Sequence, residues 1–507
     1  MGGDGNERSN IKRLPLGVSI ILASLVFGSL RQGAYHLWQH QVFGFMVVVG
    51  GIAFLRFTSL QMTRRVSVVV VPLLVSSVLS TWFSDERSNA SSTFVLIGLV
   101  LVAMLACGTV AANHETTVVP ALVGVACLVA ATAIWGVAFH TTPWGRITEG
   151  IWRGSSSLTY ANAAAGILGP MTLLTMAKAA NQDGRLYAVA GTLTAIGLIS
   201  TQSRGGALAF VLAGALVLVH LGPRRFSTTA IPMLLGIGIG APLLVLRAPE
   251  NLAPFPVATM TLVVVGLGAT ALSWQFRHRL PAPHLLFFVG LPVCGLLAGL
   301  AGVGSALAPR LSLRSGTTFG GESANVLLGD RAKTWEVASQ EFANHPLLGN
   351  GPGAVELRWE QGGRGFRAMF VHNEYLELAV THGVVGLLAL LVSVGLFVRY
   401  LRPQPSTAPF MIALVAFMAH SSLDFLWHIP MLPVFFASIA GVALGLSAHL
   451  SAPDSPSAIP RSTFSEAMSI SEALNGPGGV NGGTTGGFEQ IHETHPSGVD
   501  RSHGVAR

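Results

Sequence analysis

The residues best suited to chemistry in this 507-residue chain lie at three places. The first is a cluster, Arg364, Arg367, His372, Asn373, Glu374 and Tyr375, just ahead of an apolar run that carries Glu377 and His382. The second is Arg204, in Ser203-Arg204-Gly205-Gly206-Ala207-Leu208, between two nearly continuous apolar stretches. The third is Arg331, at the first turn of an expected helix, where a cation opposes the helix dipole and points to an anionic partner. Arginine is permanently charged and makes bidentate contacts to phosphate. Histidine, with an unperturbed pKa near ~6.5, suits proton transfer near neutrality. These types together fit chemistry on an anion with His372 moving a proton. The bland alternative is an interfacial belt of Arg, His and Tyr at the membrane surface, with Arg204 snorkelling to water.

The elements that must position these residues are membrane helices. Charged residues make up 10% of the chain, the hydrophobic share is 51% and mean hydropathy is +0.59. A soluble domain carries about 25% charged residues, so a water-soluble globule is excluded. Disorder of the whole chain needs low hydrophobicity and is excluded too. About twelve to fourteen apolar runs approach the length that spans a bilayer as a helix. The expected fold is all-α, a polytopic membrane helix bundle with one long, partly helical outer loop. Its parts are N-terminal transmembrane helices over 1–308, the outer loop over 309–374, C-terminal helices over 375–450 and a disordered tail over 451–507.

With alternating sides, Lys and Arg predominate in the connections on the side of the N-terminus, so both termini are read as cytoplasmic and the long loop as facing out. Such anchoring charges explain most of the net charge of +7, and no nucleic-acid partner is expected. The first apolar run reads as a signal anchor. Cys107, Cys127 and Cys294 fall in apolar runs with no metal or disulfide spacing.

A connection of this length usually has structure or a task of its own. Asp330 caps an expected helix over 331–344, His345-Pro346 stops it, and Gly349-Asn350-Gly351-Pro352-Gly353 forms a tight turn. His372 and Gly383 are eleven residues apart, which on one helix puts them on the same face about 16 Å apart. Gly383 would then let another helix approach beneath the imidazole. Gly205-Gly206 implies a tight reversal or a close backbone approach. Asp424, flanked by His420 and His428, reads as an end-of-helix group outside the site.

The ordered set of motifs resembles the O-antigen ligase / O-antigen polymerase family. Arg204-x3-Leu208 matches that family's R-x3-L motif and His372-x10-Gly383 its H-x10-G motif. Asp330-Arg331 through Trp335, then His345-Pro346-Leu347-Leu348-Gly349-Asn350-Gly351-Pro352-Gly353, look like its loop signature. Val371-His372-Asn373-Glu374-Tyr375-Leu376 looks like its histidine segment, and Leu158-Thr159-Tyr160-Ala161-Asn162 like an upstream element. The resemblance covers about 155–395. It implies an inverting, metal-independent glycosyltransferase without a cofactor, in the bacterial cytoplasmic (inner) membrane. The donor would be a glycan on a polyprenyl diphosphate, and the acceptor a hydroxyl of another glycan or of a lipid core. His372 would be the base. Arg204, Arg331, Arg364 and Arg367 would hold the diphosphate, and Asn162, Glu374 and Tyr375 are further candidates for substrate contact. A count of fourteen spans against about twelve in ligases leaves ligase and polymerase both open. The competing class is a flippase or transporter of polyprenyl-linked glycans, which would carry repeats and mid-span charges not seen here.

Overall fold

The computed structural model describes residues 14–84, 90–148, 150–181, 184–279, 284, 331–353, 355–361, 364–401 and 404–449. The chain divides into two units, 1–451 and 452–507, and the second lies outside the described residues. So do the expected span at 285–308, Cys294, the loop residues through Asp330 and the C-terminal tail.

Thirteen α-helices are formed among the described residues. They are α1 (Leu16–Leu30), α2 (Leu37–Phe54), α3 (Leu60–Phe83), α4 (Ser91–Ala138), α5 (Ala161–Asn181), α6 (Arg185–Thr201), α7 (Arg204–Gly240), α8 (Pro242–Leu246), α9 (Pro256–Ser273), α10 (Arg331–Asn344), α11 (Glu374–Tyr400), α12 (Ala408–Ser421) and α13 (Met431–His449). Two antiparallel hairpins accompany them: β1 (Gly145–Thr148) with β2 (Ile151–Gly154), and β3 (Leu357–Gln361) with β4 (Arg364–Ala368). Among the described residues, eight helices are long and apolar enough to cross a membrane, and α1, α6 and α12 are shorter apolar helices. The chain is a polytopic, all-α membrane protein.

Two expected pairs of spans are joined into single long helices with a break. The break in α4 is at His114 (φ −135°, ψ 20°) and that in α7 at Gly222 (φ 70°, ψ 162°). With no hydrophobic drive between helices inside lipid, close contact depends on small residues. The α13–α4 crossing shows it: a Cβ at Gly445 would lie 2.0 Å from the Gly108 carbonyl oxygen, and one at Gly441 2.2 Å from that of Met104. The expected close approach at Gly205-Gly206 occurs as α7 against α5, where a Cβ at Gly206 would meet that of Ala165 at 2.7 Å.

α5 is the central helix, with 94% of its spanning window buried. Its first residues and the ends of α6, α7, α11 and α12 meet at one end of the bundle. There α10 and the β3–β4 hairpin pack on α11 through Val337, Ala338, Leu357, Val371 and Val380.

The expected helix at 331–344 is present with those bounds. The expected helix through His372 is not. Asn373 is the N-cap of α11, its side chain accepting from the Tyr375 and Leu376 amides at 3.1 Å, so His372 stands outside. The shared-face relation to Gly383 fails for a second reason, because Gly383 itself breaks α11 (φ 64°, ψ −161°). What approaches there is the backbone of Leu347 and Leu348 rather than another helix.

Candidate active site

Asp424 lies in the turn between α12 and a short 3₁₀ turn, Leu426–His428, and is 1% exposed. A buried carboxylate persists only if its oxygens are bonded. The Tyr160 hydroxyl donates to Oδ1 at 2.6 Å and the Asn162 amide donates to Oδ2. Arg331, from the first turn of α10, donates to Oδ2 at 3.0 Å and also to the Leu423 carbonyl. The Phe425 amide donates to Oδ1 at 2.9 Å. The His372 Nδ1 stands 3.5 Å from Oδ1. Burial would raise the Asp424 pKa, but the His372 contact, the Arg331 charge and the Tyr160 hydroxyl hold it at about 2. Asp424 therefore stays ionised across the neutral range. Its stabilising contribution is present above the ordinary carboxylate pKa and lost only as pH falls through about 2. Tyr160, pushed well above its usual pKa by burial and by Asp424, remains a neutral donor.

The His372 backbone is in the left-handed region (φ 58°). For a residue other than glycine this costs about 1–3 kcal/mol and persists only where neighbours impose it. They do so on both sides. The Val371 amide donates to Glu377 at 3.0 Å and its carbonyl accepts from the Trp335 indole at 3.0 Å, while Asn373 caps α11. The imidazole meets Phe425 edge-on at 4.8 Å, and Phe425 is stacked on Phe370 at 4.5 Å and on Tyr160 at 5.0 Å. The ring is 32% exposed. With Nδ1 turned to a carboxylate, Nε2 is the nitrogen left for a substrate proton.

The other expected site residues divide. Asn162 belongs to the cluster, and its Oδ1 accepts from Arg153 at 2.8 Å. Arg204 is exposed at the start of α7, whose next residue, Gly205, packs against Leu423. Arg367 pairs with Glu356 at 2.9 Å and does not turn toward Asp424. Arg364 opens β4 opposite Gln361. Tyr375 donates to the Met418 carbonyl at 2.8 Å and packs edge-on to Trp427, which is a structural setting. Glu374, 2% exposed, accepts from the Trp427 amide and faces His428.

Glu374, Glu377 and His428 are the one group among the described residues with geometry for a metal ion. Their spacing fits an ion pair at least as well. His428 Nε2 is 2.8 Å from Glu377 and Nδ1 3.4 Å from Glu374. Burial opposes the His428 charge, but Glu377 and Glu374 hold its pKa well above the usual value. The protonated imidazole thus ties α11 to the turn bearing Asp424. A raised folded-state pKa means that this stabilisation is complete below the ordinary histidine pKa and is lost as pH rises through the raised one. His428→Gln should therefore lower the melting temperature clearly near pH ~6 and much less at strongly alkaline pH, read by thermal unfolding of the purified protein. An equal loss at both pH values would contradict the ion pair.

Residues 257–391 match the model of a family described as O-antigen ligase. That stretch is similar to the O-antigen ligase family. The matched stretch includes Arg331, the turn at 345–353, His372 and Gly383. Arg204, Tyr160, Asn162 and Asp424 lie outside it in sequence, and the matched stretch meets Tyr160, Asn162 and Asp424 only through the fold. No curated protein matches the chain.

Asp424, read from the sequence as an end-of-helix group, touches both Arg331 and His372. Its flanking histidines in a turn next to apolar runs were the available signal. Arg153 and Tyr160 were not singled out. Nothing in the spacing of residues 160, 162 and 424 reveals that they share one carboxylate.

Proposed function

We propose that the chain is a glycosyltransferase of the O-antigen ligase or polymerase type that transfers a glycan from a polyprenyl diphosphate to a sugar hydroxyl at the outer face of the cytoplasmic membrane. One observation carries this reading: a single buried carboxylate, Asp424, faces a fixed cation, Arg331, and the imidazole of His372. A sugar hydroxyl is a weak nucleophile and needs a base; a departing diphosphate needs positive charge more than it needs a proton.

In the proposed step, Nε2 of His372 takes the proton of the acceptor hydroxyl. The oxygen attacks the anomeric carbon from the side opposite the diphosphate, and the bond to the diphosphate breaks with inversion. Asp424 keeps Nδ1 oriented and balances the imidazolium that forms, as a carboxylate does behind a catalytic histidine. The 3.5 Å separation is long for a hydrogen bond, a common state of catalytic contacts before substrate binds. Arg331 takes up charge on the diphosphate, together with Arg204 at the start of α7. Arg364 and Arg367, both on β4, would meet the glycan or its carrier rather than the reacting atoms.

Purified protein in proteoliposomes, supplied with a lipid-linked oligosaccharide and an acceptor, tests the reading. New glycosidic bonds are expected, as chain elongation for a polymerase or as acceptor modification for a ligase. Donor movement across the bilayer without new bonds would favour the transporter instead. Arg331→Ala is expected to cut the transfer rate by about 10²–10³-fold, the scale of losing one group that stabilises transition-state charge. An unchanged rate would remove Arg331 from the site.

A further inference from the structure

At the other end of α5 from Asp424 lies a cavity of about 1000 Å³. α5 has 21 residues, so about 30 Å of helix separates the two ends. Helices α5, α6 and α7, which meet at the Asp424 end, also bound this cavity, with the last turn of α5, the start of α6 and the middle of α7 just past its break at Gly222; the 3₁₀ segment Trp274–Arg279 after α9 completes it. Lys178, Arg185, Arg225 and Arg277 line it, against one carboxylate, Glu115, among the described lining residues.

That carboxylate is already engaged. Glu115 is bonded to Lys178, which is 3% exposed and covered by the Phe410 ring at 4.7 Å. The lining is thus dominated by donors. Trp274, 3% exposed, forms part of the same wall. Arg277 is stacked on the Trp274 ring at 4.1 Å and donates to its carbonyl at 2.9 Å, which holds this wall in place.

We propose that this cavity is a second binding site, separate from the Asp424 cluster, for a phosphate-bearing anion. Arginine is the residue type suited to phosphate oxygens, and the volume is at the upper end of ordinary ligand pockets, ample for a lipid headgroup or a soluble diphosphate. General anchoring of basic helix ends at the membrane surface accounts for scattered arginines. It does not account for four cations converging on one cavity whose one carboxylate among the described lining residues is already engaged.

The test uses the full-length protein in nanodiscs with two probes. Inorganic diphosphate is titrated by calorimetry in phosphatidylcholine discs, and retention of phosphatidylglycerol is read by native mass spectrometry from mixed discs. Arg225→Gln and Arg185→Gln are compared with Arg399→Gln, an exposed arginine at the same end of the bundle, and with Arg331→Ala in the Asp424 cluster. At least a tenfold loss of diphosphate binding in the first two alone supports the site with a soluble occupant. The same selective loss of retained phosphatidylglycerol supports it with a lipid headgroup. Binding of neither probe, equal weakening by Arg399→Gln, or weakening by Arg331→Ala alone overturns it. Thermal unfolding of each variant confirms that the binding comparison is made on folded protein.

Discussion

His372→Ala is expected to lower the glycan-transfer rate by about 10²–10⁴-fold, the range supplied by a positioned general base. The melting temperature should fall little. The imidazole is about one-third exposed, and its charged neighbour, Asp424, keeps Tyr160, Asn162 and Arg331 without it. The backbone strain at φ 58° is imposed by Val371, Trp335, Glu377 and Asn373, none of which depends on the ring. A single-turnover assay on protein matched for folding separates the outcomes. Retained transfer would mean that the strained residue serves the loop and not the chemistry.

Gly383→Val should have the largest effect on folding. At φ 64° and ψ −161° this position is in a region that is essentially glycine-only. A Cβ would stand 2.2 Å from the Leu347 oxygen, 2.3 Å from its carbonyl carbon and 2.6 Å from the Leu348 nitrogen. Those atoms are backbone and have no rotamer to yield. The segment is also bonded where it is: the Val385 amide donates to the Leu347 carbonyl at 3.2 Å and the Val384 amide to the Pro346 carbonyl at 2.8 Å, and the Asn350 and Gly351 amides donate to the Val380 and Thr381 carbonyls at 2.9 and 3.0 Å. The turn at 345–353 thus fills the break in α11 and satisfies its loose carbonyls. α3 holds the other side, with Ser80 donating to the Thr381 carbonyl and Ser84 to the Asn350 carbonyl, both at 2.6 Å. Strain of about 1–3 kcal/mol plus a comparable cost for displaced backbone bonds is a large share of a typical 5–15 kcal/mol net stability. Little or no folded protein is expected, measured by detergent-extracted yield and thermal unfolding. A variant with the parent melting temperature would show that the turn does not depend on Gly383.

The fold class was legible because scarcity of charge is a property of composition. The helix at 331–344 was legible because a polar segment with a stop at His345-Pro346 obeys local rules. His372 and Gly383 both have unusual backbone conformations, but not for the reason their spacing suggests. Their eleven-residue spacing imitates a helical repeat, while the actual cause is tertiary: Asn373 caps a helix that starts after His372, and a returning turn occupies the break at Gly383. Periodicity along one strand of sequence cannot register a segment that docks from elsewhere. The same limit hid Asp424. Its importance comes from Tyr160, Asn162 and Arg331, which arrive from the start of α5 and from the outer loop. Arg367 shows the reverse case. It was chosen for charge and position, yet its own hairpin supplies Glu356 as a partner.

The central claim is that Asp424 organises His372 and Arg331 into one transfer site. A double-mutant cycle on the single-turnover transfer rate in proteoliposomes tests it most directly, using Asp424→Asn, His372→Ala and the pair. If Asp424 acts through His372, Asp424→Asn alone slows transfer strongly, and the double variant is nearly as active as His372→Ala alone. Full activity of Asp424→Asn, or losses that simply multiply in the double variant, would contradict it.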